Sequence, residues 1–188
     1  MAIKDFVILA AGKPHNGEKP ALLTEVNGQS LFDWVLNSLP VETNTQVIIG
    51  YASAEFSSLK GRAIFQENIK WSTSGSGYSL LSADLSSSTL IASYADILYR
   101  PVLLGQLEQS PADITIIYDS QWKQRFIGRT EKDLLNAEKV IVSNNRILRA
   151  GQNIPVEWAN GEFIGLVCFQ GAALEKLQQF QNINEPEL

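Results

Sequence analysis

The sequence predicts an α/β protein, a three-layer α/β/α sandwich with a mostly parallel central sheet and a β-hairpin excursion. Short apolar runs alternate along the chain with segments of helical spacing, the pattern of repeated strand–helix units. The first apolar run, Phe6 to Leu9, breaks directly into Ala10-Ala11-Gly12 and a polar stretch of glycines and prolines. Small residues at that point let a ligand lie against bare main chain at the carboxyl edge of a sheet. A second β-rich run, Thr89–Tyr94, leads straight into Ala95-Asp96, placing a carboxylate at what should be the same edge.

The elements follow in order. The first strand is expected over about Asp5–Leu9. Val26-Asn27-Gly28 turns the chain, and Ser30 caps a helix over Leu31–Leu39, with Asp33 three residues on and Pro40 as the stop. Gln46–Ile49 reads as a short buried strand ending at Gly50. Ser53 is expected to cap a brief helix to Leu59, and Ala63–Gln66 is a third strand. Residues 67–77 form a polar loop spaced by glycines, after which Tyr78–Leu85 resumes helical spacing. Pro101 suits the first position of a helix running to about Gln109. Asp113–Tyr118 alternates as a strand and ends in Asp119. Residues 120–136 are a basic excursion carrying Lys123, Arg125, Arg129 and Lys132. Ala137–Ser143 and Arg146–Arg149 flank Asn144-Asn145, a hairpin signal. Glu162–Phe169 is the last strand, Gly171–Phe180 the closing helix, and Asn182–Leu188 a polar tail. Trp34 is expected in the core.

Composition narrows the function. The 188 residues fit one domain, 45% are hydrophobic and 19% charged, ordinary values for a globular chain. No apolar run reaches the length of a membrane span, and no signal-peptide architecture follows Lys4-Asp5, so a cytoplasmic protein without a membrane partner is expected. The net charge of −5 and the lack of a basic cluster argue against a nucleic-acid surface. One histidine and one cysteine exclude an internal disulfide and leave little for zinc. Cys168 lies in an apolar run and reads as a small buried hydrophobe. A metal here would take oxygen ligands, which points to Mg²⁺.

The residues able to do chemistry cluster at strand ends. Asp96 follows a buried β-run, where open α/β sheets bind ligands; a helix cap or turn aspartate is the plainer alternative. Glu162, opening Gly161-Glu162-Phe163-Ile164-Gly165, is the candidate second carboxylate for the metal. Lys13 and Lys19 flank the first loop and could neutralise phosphate charge.

The opening stretch resembles the nucleotidyltransferases of the sugar-phosphate nucleotidyltransferase fold, which begin with a strand, Leu-Ala-Ala-Gly, a Gly/Arg-bearing loop, a Pro-Lys pair and Val-x-Gly before a helix. Leu9-Ala10-Ala11-Gly12 and Val26-Asn27-Gly28 stand as that family has them. His15 occupies about the place of the family's loop arginine, and Lys19-Pro20-Ala21 replaces its Pro-Lys. Ser93-Tyr94-Ala95-Asp96-Ile97-Leu98 resembles the segment carrying the metal-binding aspartate, particularly in the branch that cytidylylates small phosphorylated alcohols, phosphonates and some sugar phosphates. Trp71-Ser72-Thr73-Ser74-Gly75-Ser76, Ser79-Leu80-Leu81 and Asp119-Ser120-Gln121-Trp122 with Arg125 extend the likeness over residues 3 to about 170.

The resemblance implies a nucleotide-diphospho-sugar transferase-like fold and a Mg²⁺-dependent cytidylyltransferase, joining CMP from CTP to a small phosphorylated acceptor and releasing pyrophosphate. It implies that Asp96 and Glu162 bind the metal and that Lys19 assists catalysis. The nucleotide is expected against Leu9, Ala10, Ala11, Gly12, Lys13 and His15, covered by Thr73, Ser74, Gly75 and Ser76, with Gln66 and Asn68 as further base readers. Asp119, Trp122, Arg125 and Arg129 are expected to hold the acceptor, with a surface hairpin in which Trp122 covers the core as the alternative. A homodimer is one arrangement open to the chain. The altered positions His15 and Ala21 favour a rival, a nucleotide-binding regulatory domain without turnover. A glycosyltransferase of related architecture is less favoured, because Asp96 has no second carboxylate two residues away.

Overall fold

In the computed structural model, which describes residues 4–14, 17 and 19–184, the expected strands and helices form with small shifts at their ends. β1 (Asp5–Ala10) buries Phe6, Val7 and Ile8 completely; burial on both faces marks a strand covered by helices on each side. β2 (Glu25–Val26) and β3 (Gln29–Ser30) make a small hairpin over Asn27 (φ 52°) and Gly28 (φ 77°). Two successive left-handed residues give this tight turn the twist that matches its strands. α1 (Leu31–Ser38) is capped as expected, the Asp33 N–H donating to Ser30 Oγ at 3.1 Å.

β4 (Asn44–Ile49), a 3₁₀ turn over Ser53–Leu59, β5 (Ile64–Glu67), α2 (Ser76–Leu81), β6 (Thr89–Tyr94) and α3 (Val102–Glu108) follow. Next come β7 (Ile114–Asp119), α4 (Trp122–Arg125), α5 (Glu131–Asn136), β8 (Lys139–Ser143), β9 (Arg146–Gly151), β10 (Gly161–Gln170) and α6 (Gly171–Asn184).

The chain divides into two compact units, one from the described residues of 1–115 and 167–188, the other from Ile116–Leu166. In the first unit the strand order is β5-β4-β1-β6, all parallel. Alternation sends Val7, Ile48, Leu90 and Ala92 to one face, where they pack with Leu80 of α2, Ala83, Leu85 and Leu174 of α6. The opposite face carries aromatic contacts, Phe32–Phe65 at 6.2 Å, Phe56–Phe65 at 6.0 Å and Phe6–Tyr99 at 6.5 Å. Helices cover both faces of a mainly parallel sheet. In the second unit β8 and β9 form the hairpin expected at Asn144 (φ 49°) and Asn145 (φ 57°). Gly161 and Glu162 at the start of β10 pair antiparallel with Val140 and Lys139.

The departures have local causes. Ala52, in the left-handed region at φ 50°, precedes the 3₁₀ turn, and Ser53 makes no capping bond. α2 stops at Leu81 rather than Leu85 because buried Gln46 grips the main chain at Asp84. Its amide donates to Asp84 O at 2.9 Å and accepts from Asp84 N at 2.7 Å. Trp34 is not in the core: it is 36% exposed, its indole N–H donating to Val26 O at 3.0 Å. Residues 120–136 fold into α4 and α5. A reciprocal Thr130–Asp133 capping box starts α5. Cys168 is buried, and burial pushes its thiol pKa up to about 11. Among the described residues no helix is long and apolar enough to cross a membrane.

Candidate functional site

β1, β4 and β6 finish level with one another. Leu9 stands beside Ile48 and Tyr94, and Ala10 beside Ile49, so the chain leaves the sheet together at Ala11, Gly50 and Ala95. The Tyr51 N–H donates to Ala11 O at 2.9 Å, and the Asn68 N–H to Ile49 O at 2.8 Å. These bonds tie the loops after β1, β4 and β5 into one rim.

A cleft of about 160 Å³ opens there, lined by Leu9, Ala11, Gly12, Trp71, Ser74, Gly75, Ser76, Ser79 and Tyr94. Sites for whole small molecules occupy roughly 300–1,000 Å³, so this one suits a single ring rather than a nucleotide with its phosphates. Gly50 packs tightly against two of these lining residues: a Cβ there would meet Trp71 Cβ at 2.5 Å and Ala11 O at 2.9 Å. Trp71 also packs edge-on against Tyr51, ring centroids 5.5 Å apart. Across the opening the Ser76 and Tyr94 hydroxyls approach to 3.5 Å.

Of the residues expected at a nucleotide, Leu9, Ala11, Gly12, Ser74, Gly75 and Ser76 line this wall. Ala10 is buried and is not part of it. Thr73 does not face it either; its hydroxyl donates to Lys70 O at 3.3 Å, closing the loop on itself. Asn68 is 1% exposed and supports the loop from behind instead of facing a ligand. Gln66 has a buried carbonyl oxygen without a partner among the described residues. Lys13 is exposed, its ammonium 5.5 Å from the Tyr51 ring centroid, and Lys19 is exposed in the loop. His15 lies outside the described residues.

Asp96, the second residue after β6, is exposed, and its carboxylate has no hydrogen-bond or ion-pair partner among the described residues. A free hard oxygen donor at a ligand edge fits an oxygen-ligated cation such as Mg²⁺. Among the described residues no group of three or more His, Cys, Asp or Glu side chains could hold a metal by itself.

The second unit places its four expected residues differently. Trp122 is only 1% exposed, packed with Phe126, Ala137, Ile154 and Ala159. Its ring is core and cannot stack on an acceptor, which corrects the expectation for that residue. The driving force is apolar area: the largest side chain of the basic stretch seals a small core under α4. Asp119 accepts from Gln121 N at 2.8 Å and is ion-paired with Arg125 Nε. Arg129 lies over Phe126, 4.7 Å from the ring centroid. Lys139 is 1% exposed, and its ammonium donates to Leu134 O, Leu135 O and Ala137 O at 3.2, 2.9 and 3.0 Å, finishing α5. Burial lowers its pKa, opposed by the Glu162 charge. Burial likewise raises the pKa of Glu162; Arg129 opposes this, Asp119 and Glu138 add to it, and Lys139 opposes it.

Trp71, Ser79 and Tyr94 were not assigned a role by sequence reasoning. Ser79 carried a usable signal, a hydroxyl between Tyr78 and Leu80 on the side of α2 that turns inward. Tyr94 ends a buried strand next to Asp96, and tyrosine there reads equally as sheet packing.

No protein-family model matches the chain, and no curated protein sequence does. Solved structures do share its fold. It is 21% identical to the inositol-1-phosphate CTP transferase from T. maritima, with a TM-score of 0.69 over 98% of this chain and 75% of that one. It is 18% identical to a CTP:phosphocholine cytidylyltransferase from Streptococcus pneumoniae, TM-score 0.63, over 97% and 77% of the two chains. It is 15% identical to a CMP:2-keto-3-deoxy-manno-octonic acid synthetase complexed with CTP, TM-score 0.64, over 97% and 79%.

Proposed function

We propose that the chain is a nucleotidyltransferase that uses CTP and a small phosphorylated acceptor. The observation that carries this reading is the ring-sized cleft at the ends of β1, β4 and β6, with Asp96 just past the end of β6 and without a partner among the described residues. The names of three structures sharing the fold, each referring to CTP or CMP, support cytidine as the base.

The chemistry asks little of the protein beyond positioning and charge. An oxygen of the acceptor phosphate forms a bond to the α-phosphorus of the triphosphate, and the bond from that phosphorus to the β-phosphate bridging oxygen breaks, releasing pyrophosphate. The main chain of Leu9, Ala11 and Gly12 would hold the base, with Trp71 closing the cleft. Lys13 and Lys19, exposed on the loop, would neutralise charge building on pyrophosphate. Asp96 would hold Mg²⁺, whose contribution when bound is to offset phosphate charge and align the triphosphate. Arg125, Arg129 and Asp119 remain the acceptor candidates, now without the Trp122 ring.

The test is a panel of four nucleoside triphosphates, each with phosphocholine, aminoethylphosphonate and several sugar phosphates, read as pyrophosphate release. CTP-dependent release that disappears in Asp96→Ala is the expected result. Release undiminished in Asp96→Ala would remove the metal assignment. Ala21, where the resembled family's pattern has lysine, and His15, about where it has arginine, favour the second reading, a nucleotide-binding domain without turnover. Nucleotide binding without pyrophosphate release from any acceptor would select it.

A further inference from the structure

Behind the cleft wall, one buried side chain sets the hydrogen-bond polarity that the wall shows to a ligand. Asn68 is 1% exposed and uses its whole amide. Its Oδ1 accepts from the Lys70 main-chain N–H at 2.9 Å. Its Nδ2 donates to Ser74 Oγ at 3.0 Å and to Ser79 Oγ at 3.0 Å. The amide orientation is not arbitrary. A main-chain N–H can only donate, so the atom facing Lys70 N must be the oxygen, and both amide hydrogens are then committed to the two serines.

Each serine oxygen therefore receives a hydrogen bond from Asn68 and keeps its own proton. Neither hydroxyl proton has an acceptor among the described residues, and both serines line the cleft. Ser79 is 6% exposed, so an acceptor for its proton has to come from whatever occupies the cleft.

We propose that Asn68 is a positioning residue for base selectivity: by donating to Ser74 and Ser79 it makes the cleft a pair of hydroxyl donors, matched to a ring edge carrying two adjacent acceptors. This rests on the nucleotidyltransferase reading and deepens it. Cytosine offers adjacent acceptors at N3 and O2. Uracil has a hydrogen on N3; accepting it on a serine oxygen's remaining lone pair would leave that serine's own proton without an acceptor. Discrimination then comes from an unfavourable contact in the wrong complex as well as a good one in the right complex.

Asn68→Asp tests the inference, because it nearly preserves shape. One carboxylate oxygen still accepts from Lys70 N, while the other can only accept. The serine hydroxyls then donate inward to it and show lone pairs to the cleft. The added negative charge weakens every triphosphate alike, so the readout is the ratio of CTP to UTP affinity, measured by calorimetry, and of the two kcat/KM values. The ratio is expected to fall by about tenfold or more, the size of one hydrogen bond gained or lost. Ser79→Ala, which removes one donor without adding charge, should lower CTP affinity by about tenfold and UTP affinity less. Thermal melts identify any variant that fails to fold, and Ser79→Ala then carries the test. A CTP:UTP ratio unchanged in both variants, with wild-type nucleotide binding intact, overturns this inference alone. A wild-type chain that binds none of the four triphosphates overturns the enzymatic reading, and this inference with it.

Discussion

Gly50 lies so close to Trp71 that a Cβ on the glycine would stand 2.5 Å from Trp71 Cβ and 2.9 Å from Ala11 O. Main chain at the end of β4, main chain at the end of β1 and an indole meet with no room for a methyl group. Gly50→Ala should therefore push Trp71 outward, costing about 1–3 kcal/mol of stability by overpacking. It should weaken nucleotide binding more than it slows turnover at saturation. Denaturant unfolding together with calorimetry checks both; a variant as stable and as tightly binding as wild type would contradict the close packing.

Asp96 offers the opposite test, of a side chain that supports nothing in the fold. It is exposed and unpartnered among the described residues, and substitutions at such positions change stability by about 0.5 kcal/mol or less. Asp96→Asn should melt with the wild type in metal-free buffer, yet lose the part of CTP affinity that depends on added Mg²⁺. Titration of CTP with and without Mg²⁺ separates the two effects.

Trp122 and Arg125 are neighbours in sequence with different tasks. Trp122→Ala empties a packed site in the second unit and should cost about 3–5 kcal/mol. Arg125→Ala removes a side chain that is 67% exposed and paired with Asp119, and should cost no more than about 1 kcal/mol. Under the proposed function it should raise KM for the acceptor and leave KM for CTP unchanged. Thermal melts and initial rates at varied acceptor measure this.

Glu162 predicts a pH dependence. Burial raises its pKa in the folded chain, so folding disfavours its charged form. The stability that this side chain permits is fully present below the usual glutamate range and declines as pH rises through its raised folded value. Glu162→Gln lacks that decline. In metal-free buffer the melting temperature of the variant minus that of the wild type should grow between about pH 4 and pH 7. A difference that shrinks over that range would show that Arg129 and Lys139 outweigh burial.

Most of the fold was legible because its signals are local. β6 matches its expected bounds, Thr89–Tyr94, since a run of β-formers between a serine-rich turn and Ala95-Asp96 leaves the backbone few alternatives. Asn27-Gly28 and Asn144-Asn145 turn where expected because these residues tolerate positive φ. The helix over Tyr78–Leu85 was overextended for the converse reason. Its end depends on Gln46, 38 residues from Asp84 in the chain, and periodicity carries no trace of so remote a bond.

The site divides along the same line. Residue order alone identified the small-residue loop after β1, the carboxylate after β6 and the polar loop at 67–77, because strand order and chain direction bring those ends to one edge. Burial and orientation came from packing at a distance. Nothing in Asp-Ser-Gln-Trp distinguishes a tryptophan held under a core from one waiting for a ligand, and nothing around Asn68 reveals which way its amide points. Those choices depend on volume already filled by remote residues, and on which donors remain unpaired once the main chain has closed.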